Sequence, residues 1–169
     1  MGEETKGSDQ NKVMLVIDEN EYSYYALMWM LENLKESVTK SNLVIFAAQP
    51  LPNYTNVFAA PLGFARMYSP MSTTPALIES IQERNKKVLL GLLEKAKSIC
   101  ASRGINVETF TEAGDPKETI SDAVQKYKIK LLVMGSHANR TIKRAFQGSL
   151  SNYFINNAKC PVLVVKNPE

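Results

Sequence analysis

The segment Val13-Met14-Leu15-Val16-Ile17 is apolar at every position and is followed directly by the acidic pair Asp18-Glu19. Five consecutive apolar residues leave no polar face, so the segment is typical of a strand that is buried on both sides of a sheet. Such strands occur in parallel sheets that are covered by helices on both faces. We therefore predict a β-strand here, with a crossover helix after it.

The rest of the chain repeats this alternation of strand and helix. Further strands are predicted at about Leu43–Ala48, Asn106–Glu112, Leu131–Met134 and Pro161–Val165. Helices are predicted, from apolar spacing or from capping residues, at about Glu21–Leu34, Pro75–Gly104, Asp115–Tyr127 and Gly148–Asn157. Five strands that alternate with helices predict an α/β protein, a three-layer α/β/α sandwich around a parallel, doubly wound sheet.

Composition indicates one folded domain. The chain has 169 residues, of which 44 % are hydrophobic, and its formal net charge is only +3. We predict a polar, disordered tail at residues 1–11 and a single domain at residues 12–169. The small excess of basic residues argues against a nucleic-acid partner.

The location of the protein is predicted from segments that the sequence lacks. No apolar run approaches the roughly 18 residues of a membrane span, and the polar N-terminus has no apolar leader region. Two cysteines are too few for a disulfide scaffold. We therefore expect a soluble, cytoplasmic protein without a membrane span.

The stretch from Pro50 to Pro75 has no clear hydrophobic period and is rich in proline. Loops longer than about 12 to 15 residues are uncommon inside compact domains and usually have a function. We interpret this stretch as a possible lid.

Ligands of open parallel sheets bind at the carboxyl ends of the strands, where the strand order reverses. Asp18, Ala48 and Gly135 stand at predicted strand ends. The last predicted helix begins with Gly148-Ser149-Leu150-Ser151, whose free N–H groups and hydroxyls are suited to an anion. This arrangement predicts a phosphate-binding cradle, although a plain helix cap without a ligand is an alternative.

The same region resembles a known family. Gly135-Ser136-His137, Ile142-Lys143-Arg144, Gly148-Ser149 with Ser151, and Cys160-Pro161-Val162 together look like the signature of the universal stress protein family. The long second helix and the long loop resemble plant-type, single-domain members. The resemblance implies an adenine-nucleotide alpha-hydrolase-like, Rossmann-like sheet of order 3-2-1-4-5, usually in a homodimer, with ATP or AMP bound in many members.

The nucleotide motif of that family is Gly-x2-Gly-x9-Gly-Ser/Thr. Gly135 and Gly148-Ser149 match it, whereas Ala138 stands where the second glycine belongs. If the backbone there needs a positive φ, alanine costs on the order of 1 kcal/mol. A tenfold loss of affinity corresponds to about 1.4 kcal/mol, so this departure weakens a nucleotide site without removing it.

The resemblance also implies which residues bind the nucleotide. Ribose would lie near Asp18 and Gly135, adenine against the backbone at Ala48, and the phosphates against the start of the last helix. Asp18 could instead hold Mg²⁺ beside an ATP, or simply end its strand in solvent. The full predicted set is Ile17, Asp18, Ala48, Met134, Gly135, Ala138, Gly148, Ser149, Leu150 and Ser151.

No catalytic residue is predicted. The Walker pattern and Gly-x-Gly-x-x-Gly are both absent, and no carboxylate base stands in the motif region, so we expect slow ATP hydrolysis at most. We predict a nucleotide-responsive stress-signalling protein with protein partners. The alternative is a ligand-independent homodimeric scaffold whose nucleotide site is weakened by Ala138. In both cases the dimer is expected to form through the edge strand Val162–Lys166.

Overall fold

A computed structural model describes residues 11–51, 74–136 and 150–168. These residues form five strands and five helices. The strands are β1 (Lys12–Val16), β2 (Asn42–Gln49), β3 (Val107–Ala113), β4 (Ile129–Ser136) and β5 (Val162–Lys166). The helices are α1 (Glu21–Asn33), α2 (Lys35–Thr39), α3 (Pro75–Ser102), α4 (Pro116–Lys126) and α5 (Leu150–Asn157).

The strands form one parallel sheet of order β3-β2-β1-β4-β5, which confirms the predicted order. Leu15 in the central strand is paired with Ile45 of β2 on one side and with Val133 of β4 on the other. The chain leaves β1 toward β2 and later returns to β4 on the opposite side. The order therefore reverses between β1 and β4.

Alternate residues of β1 pack into two separate hydrophobic cores. Val13 and Leu15 belong to a cluster that contains residues of α1 and α3. Met14 and Val16 belong to a second cluster that contains residues of α4 and α5. All four residues are buried because helices cover both faces of the sheet, as the apolar run predicts. We call these two sides the α1/α3 face and the α4/α5 face.

Helices α3 and α4 begin at residues whose side chains cap the first turn. The Thr74 hydroxyl accepts a hydrogen bond from the Leu77 amide at 3.3 Å, directly before Pro75. The Asp115 carboxylate accepts bonds from the amides of Lys117 and Glu118 at 2.8 and 3.4 Å. Such bonds satisfy amide groups that have no partner within the helix.

Helix α3 is longer than the strands that it covers. It has 28 residues, and its buried residues, Leu89, Leu93, Ala96 and Cys100, all lie in its second half. Nearer its start, the carbonyl of Gln82 accepts a hydrogen bond from the side-chain amide of the buried residue Gln49, at the end of β2, at 3.1 Å.

Two local features differ from the prediction. Strand β4 continues past Met134 through Gly135 and Ser136, because Ser136 is still paired with Lys166 of β5. Helix α2 was not predicted, because its five residues bury only Val38 and so give no repeating pattern.

Some predictions fall outside the described residues. These are the tail at residues 1–10, most of the possible lid from Pro50 to Pro75, and Ala138, Gly148 and Ser149 of the nucleotide motif. Asn11, at the predicted end of the tail, accepts a hydrogen bond from the Asn42 amide at 3.2 Å. Over residues 11–51, 74–136 and 150–168, no helix has the length and the apolar character needed to cross a membrane.

Candidate functional site

The carboxyl edge of the sheet brings together predicted site residues from three strands. Strands β2, β1 and β4 are neighbours, so Ala48, Ile17 and Gly135 follow or end adjacent parallel strands at the same edge. The Ile17 amide donates to the Phe46 carbonyl at 2.9 Å, which continues the pairing of β1 with β2 to the start of the turn. This edge is where the strand order reverses, as expected for a ligand site.

The apolar site residues are divided between the two faces of the sheet. Ala48, Met134 and Leu150 all pack in the cluster on the α4/α5 face. Ile17 packs in the other cluster, on the α1/α3 face. A ligand that contacts Ala48, Met134 and Leu150 therefore lies on the α4/α5 side of the edge.

Asp18 directly follows Ile17 and places an exposed carboxylate at this edge. One carboxylate oxygen accepts a bond from the Asn20 amide at 2.9 Å, and the other accepts one from the Asn20 side-chain amide at 3.0 Å. A carboxylate has about four acceptor positions, so both oxygens can accept a further hydrogen bond. Asp18 is thus held by a local turn and is still open to a ligand hydroxyl.

Ser23 fixes the backbone of the same turn. Its hydroxyl oxygen accepts from the Asp18 amide at 3.1 Å. It also lies within donating distance of the Asp18 carbonyl, at 3.0 Å, and the Asn20 carbonyl, at 2.9 Å, and its single proton serves one of them at a time. Ser23 is only 7 % exposed. Ser23 and Asn20 were not predicted as site residues, although the spacing of Asp18, Asn20 and Ser23 around the start of α1 is a sequence signal for such a turn.

Gly135 lies against the first turn of α1. A methyl group added to it would lie 2.5 Å from the carbonyl oxygen of Tyr22, 2.8 Å from the carbonyl carbon and 3.1 Å from the Ser23 amide nitrogen. Gly135 is not among the described residues with a positive φ. The glycine is therefore required by the close approach of helix to strand, a reason that does not involve a ligand.

The phosphate end of the predicted site is described only in part. Leu150 and Ser151 form the first turn of α5, with Leu150 half-buried and Ser151 4 % exposed. Ala138, Gly148 and Ser149 lie outside the described residues, as does the stretch of the motif between them. The phosphate cradle therefore stays a prediction.

Both cysteines are free thiols. Burial raises the pKa of Cys100, and the nearby charge of Arg103 offsets part of the increase. Burial also raises the pKa of Cys160, against a smaller opposing effect of a hydrogen bond with the Leu132 backbone. Because the thiolate is the reactive form, these shifts disfavour chemistry at either residue.

Comparison with known proteins identifies relatives over nearly the whole chain. A family model described as "Universal stress protein family" matches residues 10–166. The universal stress protein A-like protein of Arabidopsis thaliana is 25 % identical over 175 residues, covering 95 % of this chain and 92 % of the relative.

Two solved structures share the fold. A universal stress protein family protein from Arabidopsis thaliana, solved with AMP bound, has a TM-score of 0.64 at 21 % identity and covers 93 % of this chain and 92 % of its own. A universal stress protein solved in complex with cAMP has a TM-score of 0.60 at 18 % identity and covers 93 % of this chain and 97 % of its own.

Proposed function

Since this chain belongs to the universal stress protein family, we propose that it binds an adenine nucleotide, AMP or ATP, at the carboxyl edge between β1 and β4. The observation that carries the proposal is the juxtaposition at this edge. An exposed, turn-held Asp18 carboxylate follows β1, beside the β4 end at Gly135, and the apolar group Ala48, Met134 and Leu150 leads to the start of α5. Two relatives of the same fold were solved with AMP and with cAMP.

Each part of the nucleotide has a chemically suited partner in this proposal. The purine packs against the half-buried residue Ala48 and its backbone, and a ribose hydroxyl donates to the Asp18 carboxylate. The phosphates accept hydrogen bonds from the amides at residues 148 to 151, at the start of the last helix. Asp18 lies at the ribose in this orientation of the nucleotide, away from the phosphates. The orientation is therefore favoured, because a carboxylate and a phosphate repel each other.

A magnesium ion, if present, would be held mainly by the nucleotide. Within the described ranges, no group of three or more histidine, cysteine or acidic residues could form a metal cage. Mg²⁺ commonly binds through one or two carboxylates together with phosphates and water, so Asp18 and an ATP would suffice. AMP offers fewer phosphate oxygens, and we expect Mg²⁺ to strengthen ATP binding selectively.

The proposed role is that of a nucleotide-responsive signalling protein in the cytoplasm, with slow ATP hydrolysis at most. Ligand binding at the reversal point of the sheet orders the groups around the edge and so changes the surface that a partner protein meets. The comparison of ATP with AMP tests which nucleotide produces that change.

Isothermal titration calorimetry of the full chain with AMP and with ATP, with and without Mg²⁺, tests the proposal. Asp18→Asn should lower the affinity about 10- to 100-fold, the usual value of a hydrogen bond to a charged group. Gly148→Asp should abolish binding through bulk and charge. Asp122→Asn, an exposed aspartate within α4, is the matched control and should bind like the wild type. Absence of heat and of thermal stabilisation at millimolar nucleotide would reject the proposal.

A second candidate function is a homodimeric scaffold that needs no nucleotide. Its support is β5, an edge strand whose residues Val162, Leu163 and Val164 are apolar and only half-buried. An edge of this kind is open to pairing with another strand, and a second copy of β5 would cover it.

Light scattering coupled to size exclusion separates the two candidates. A dimer that forms equally with and without AMP, in a protein that gives no heat with nucleotide, would favour the scaffold. A monomer at micromolar concentration would reject the dimer. Leu163→Lys places a charge on the proposed interface and should yield monomers, whereas Lys130→Gln on the exposed start of β4 should not.

A further inference from the structure

A second cavity opens on the α1/α3 face, opposite the face proposed for the nucleotide. It is a cleft of about 250 Å³ between α1 and α3. Its inner wall is apolar, and it is formed by Leu27, Leu92, Ala96 and Ile99. Leu27 and Ala96 are buried, whereas Leu92 and Ile99 are half-buried and so border open space. A wall of this kind favours the apolar body of a small molecule.

The mouth of the cleft is acidic. Asp18, Glu19 and Glu21, in and after the turn that leads into α1, all line it, and all three are exposed. Among residues 11–51, 74–136 and 150–168, the one basic residue that lines the cleft is Lys95 of α3. Three carboxylates against one ammonium group leave a net negative charge of two at neutral pH. An anionic ligand is therefore disfavoured, and a cationic group is attracted.

Tyr24 adds an aromatic wall at the same mouth. Its side chain is 46 % exposed, and the Lys95 ammonium lies 5.2 Å from the centre of its ring. This distance is within the range of a cation–π interaction. The cleft thus already holds an ammonium group over its aromatic wall, supplied by a flexible side chain that a ligand can displace.

We propose that the cleft between α1 and α3 binds a small organic amine, a molecule with an apolar body and a protonated amino group. The body would lie on Leu92 and Ile99, and the ammonium group would take the place of Lys95 over the Tyr24 ring, facing Glu19 and Glu21. An apolar cavity of about 150 Å³ can bind benzene, so a cleft of about 250 Å³ has room for one ring with a short chain.

This site overlaps the proposed nucleotide site only in part. The two share only Ile17 and the Asp18 turn, whereas Ala48, Met134 and Leu150 pack on the opposite face of the sheet. The amine site does not depend on nucleotide binding and can be tested in nucleotide-free protein.

Three matched probes test the charge preference. 2-Phenylethylamine, 2-phenylethanol and 3-phenylpropanoate have similar apolar bodies with a positive, a neutral and a negative head group. Each is titrated into the ¹⁵N-labelled full chain, and binding is followed by amide chemical shifts. We expect the amine to shift the signals of Leu27, Ala96 and Ile99. One unit charge about 5 Å from another in water changes the binding constant about fourfold. With a net negative charge of two at the mouth, the amine should therefore bind roughly tenfold more tightly than the alcohol.

Three variants locate the effect. Glu19→Gln should weaken amine binding about fourfold and leave alcohol binding unchanged. Tyr24→Leu keeps an apolar wall without the ring and should also weaken the amine selectively. Glu79→Gln, an exposed glutamate of α3 more than three turns before Leu92, is the control and should have no effect.

The contradicting results are equally definite. Equal binding of all three probes, shifts confined to residues outside the cleft, or unchanged amine affinity in both Glu19→Gln and Tyr24→Leu would overturn the proposal. Glu19 and Tyr24 are exposed, so both variants should fold, and thermal unfolding of each variant confirms this before titration.

Discussion

Replacing Gly135 by alanine adds one methyl group where the backbone of α1 lies closest to β4. The added carbon would lie 2.5 Å from the Tyr22 carbonyl oxygen and 2.8 Å from its carbon, whereas ordinary van der Waals contact begins at about 3.4 Å. The neighbouring atoms are backbone and cannot rotate away, so the first turn of α1 must move by about 1 Å.

The expected cost follows from overpacking. Extra methyl groups in a well-packed interior typically cost about 1–3 kcal/mol of stability. Because the added methyl group of Gly135→Ala would overlap rigid backbone atoms, we expect a cost in the upper half of this range, about 2–3 kcal/mol. For a domain of this size, that lowers the melting temperature by about 4 to 12 °C. The shift also disturbs the Asp18–Ser23 turn, so we expect AMP affinity to fall as well.

Alanine substitutions at two other glycines separate the effect of steric overlap from the effects of helix propensity and backbone strain. The free energy of unfolding of all three variants is measured by urea denaturation. Gly91 lies within α3 with nothing within 4 Å of an added methyl group, so Gly91→Ala should stabilise the protein by about 0.5–1 kcal/mol. Gly104 has a φ of +75° and open space, so Gly104→Ala should cost about 1 kcal/mol from backbone strain alone. A Gly135→Ala variant within 0.5 kcal/mol of the wild type would refute the packing argument.

Three further predictions concern stability. Asp115→Ala removes the cap of α4 and should lower the free energy of unfolding by about 1 kcal/mol, measured by urea denaturation, with exposed Asp122→Ala as the control. Thr111→Val replaces a buried hydroxyl that has no hydrogen-bond partner among the described residues, so it should raise the same free energy by about 1 kcal/mol; a decrease would show that the hydroxyl is satisfied in solution. Because burial raises the folded-state pKa of Cys100 above its ordinary value of 9.0, the folded protein holds the thiol proton more tightly. The contribution of the protonated thiol to the free energy of unfolding is complete below pH 9.0 and is lost as the pH rises through the folded-state pKa. The wild type should therefore lose more stability between about pH 8 and pH 10 than Cys100→Ala.

Apolar runs and capping residues predicted the architecture well. The run in β1 has no polar face, and this alone requires cover on both sides of the sheet. Asp115 and Thr74 mark helix starts through side-chain bonds that are local in sequence. The end of β4 was misjudged because a glycine commonly ends a strand, whereas here pairing with β5 carries the strand through it.

The sequence predicts where the candidate site lies, but it does not show why each residue is needed at its position. Gly135 resembles a ligand-binding glycine, and only the structure shows that α1 requires it on the opposite face. The role of Ser23 depends on how the chain folds back over five residues, which no hydrophobic period records. The cleft between α1 and α3 joins residues about 70 positions apart in sequence, so no local pattern could predict it.

The uneven burial of α3 divides one helix into two regions of different stability. At 1.5 Å per residue its 28 residues span about 42 Å, whereas the eight residues of β2 span about 26 Å. The residues from Leu89 onward are anchored in the core, and the preceding turns are linked to the sheet by the bond between Gln49 and Gln82. The first turns of α3 can therefore unwind and reform without exposing core residues. Their amide hydrogens should exchange with solvent much faster than those beyond Leu89.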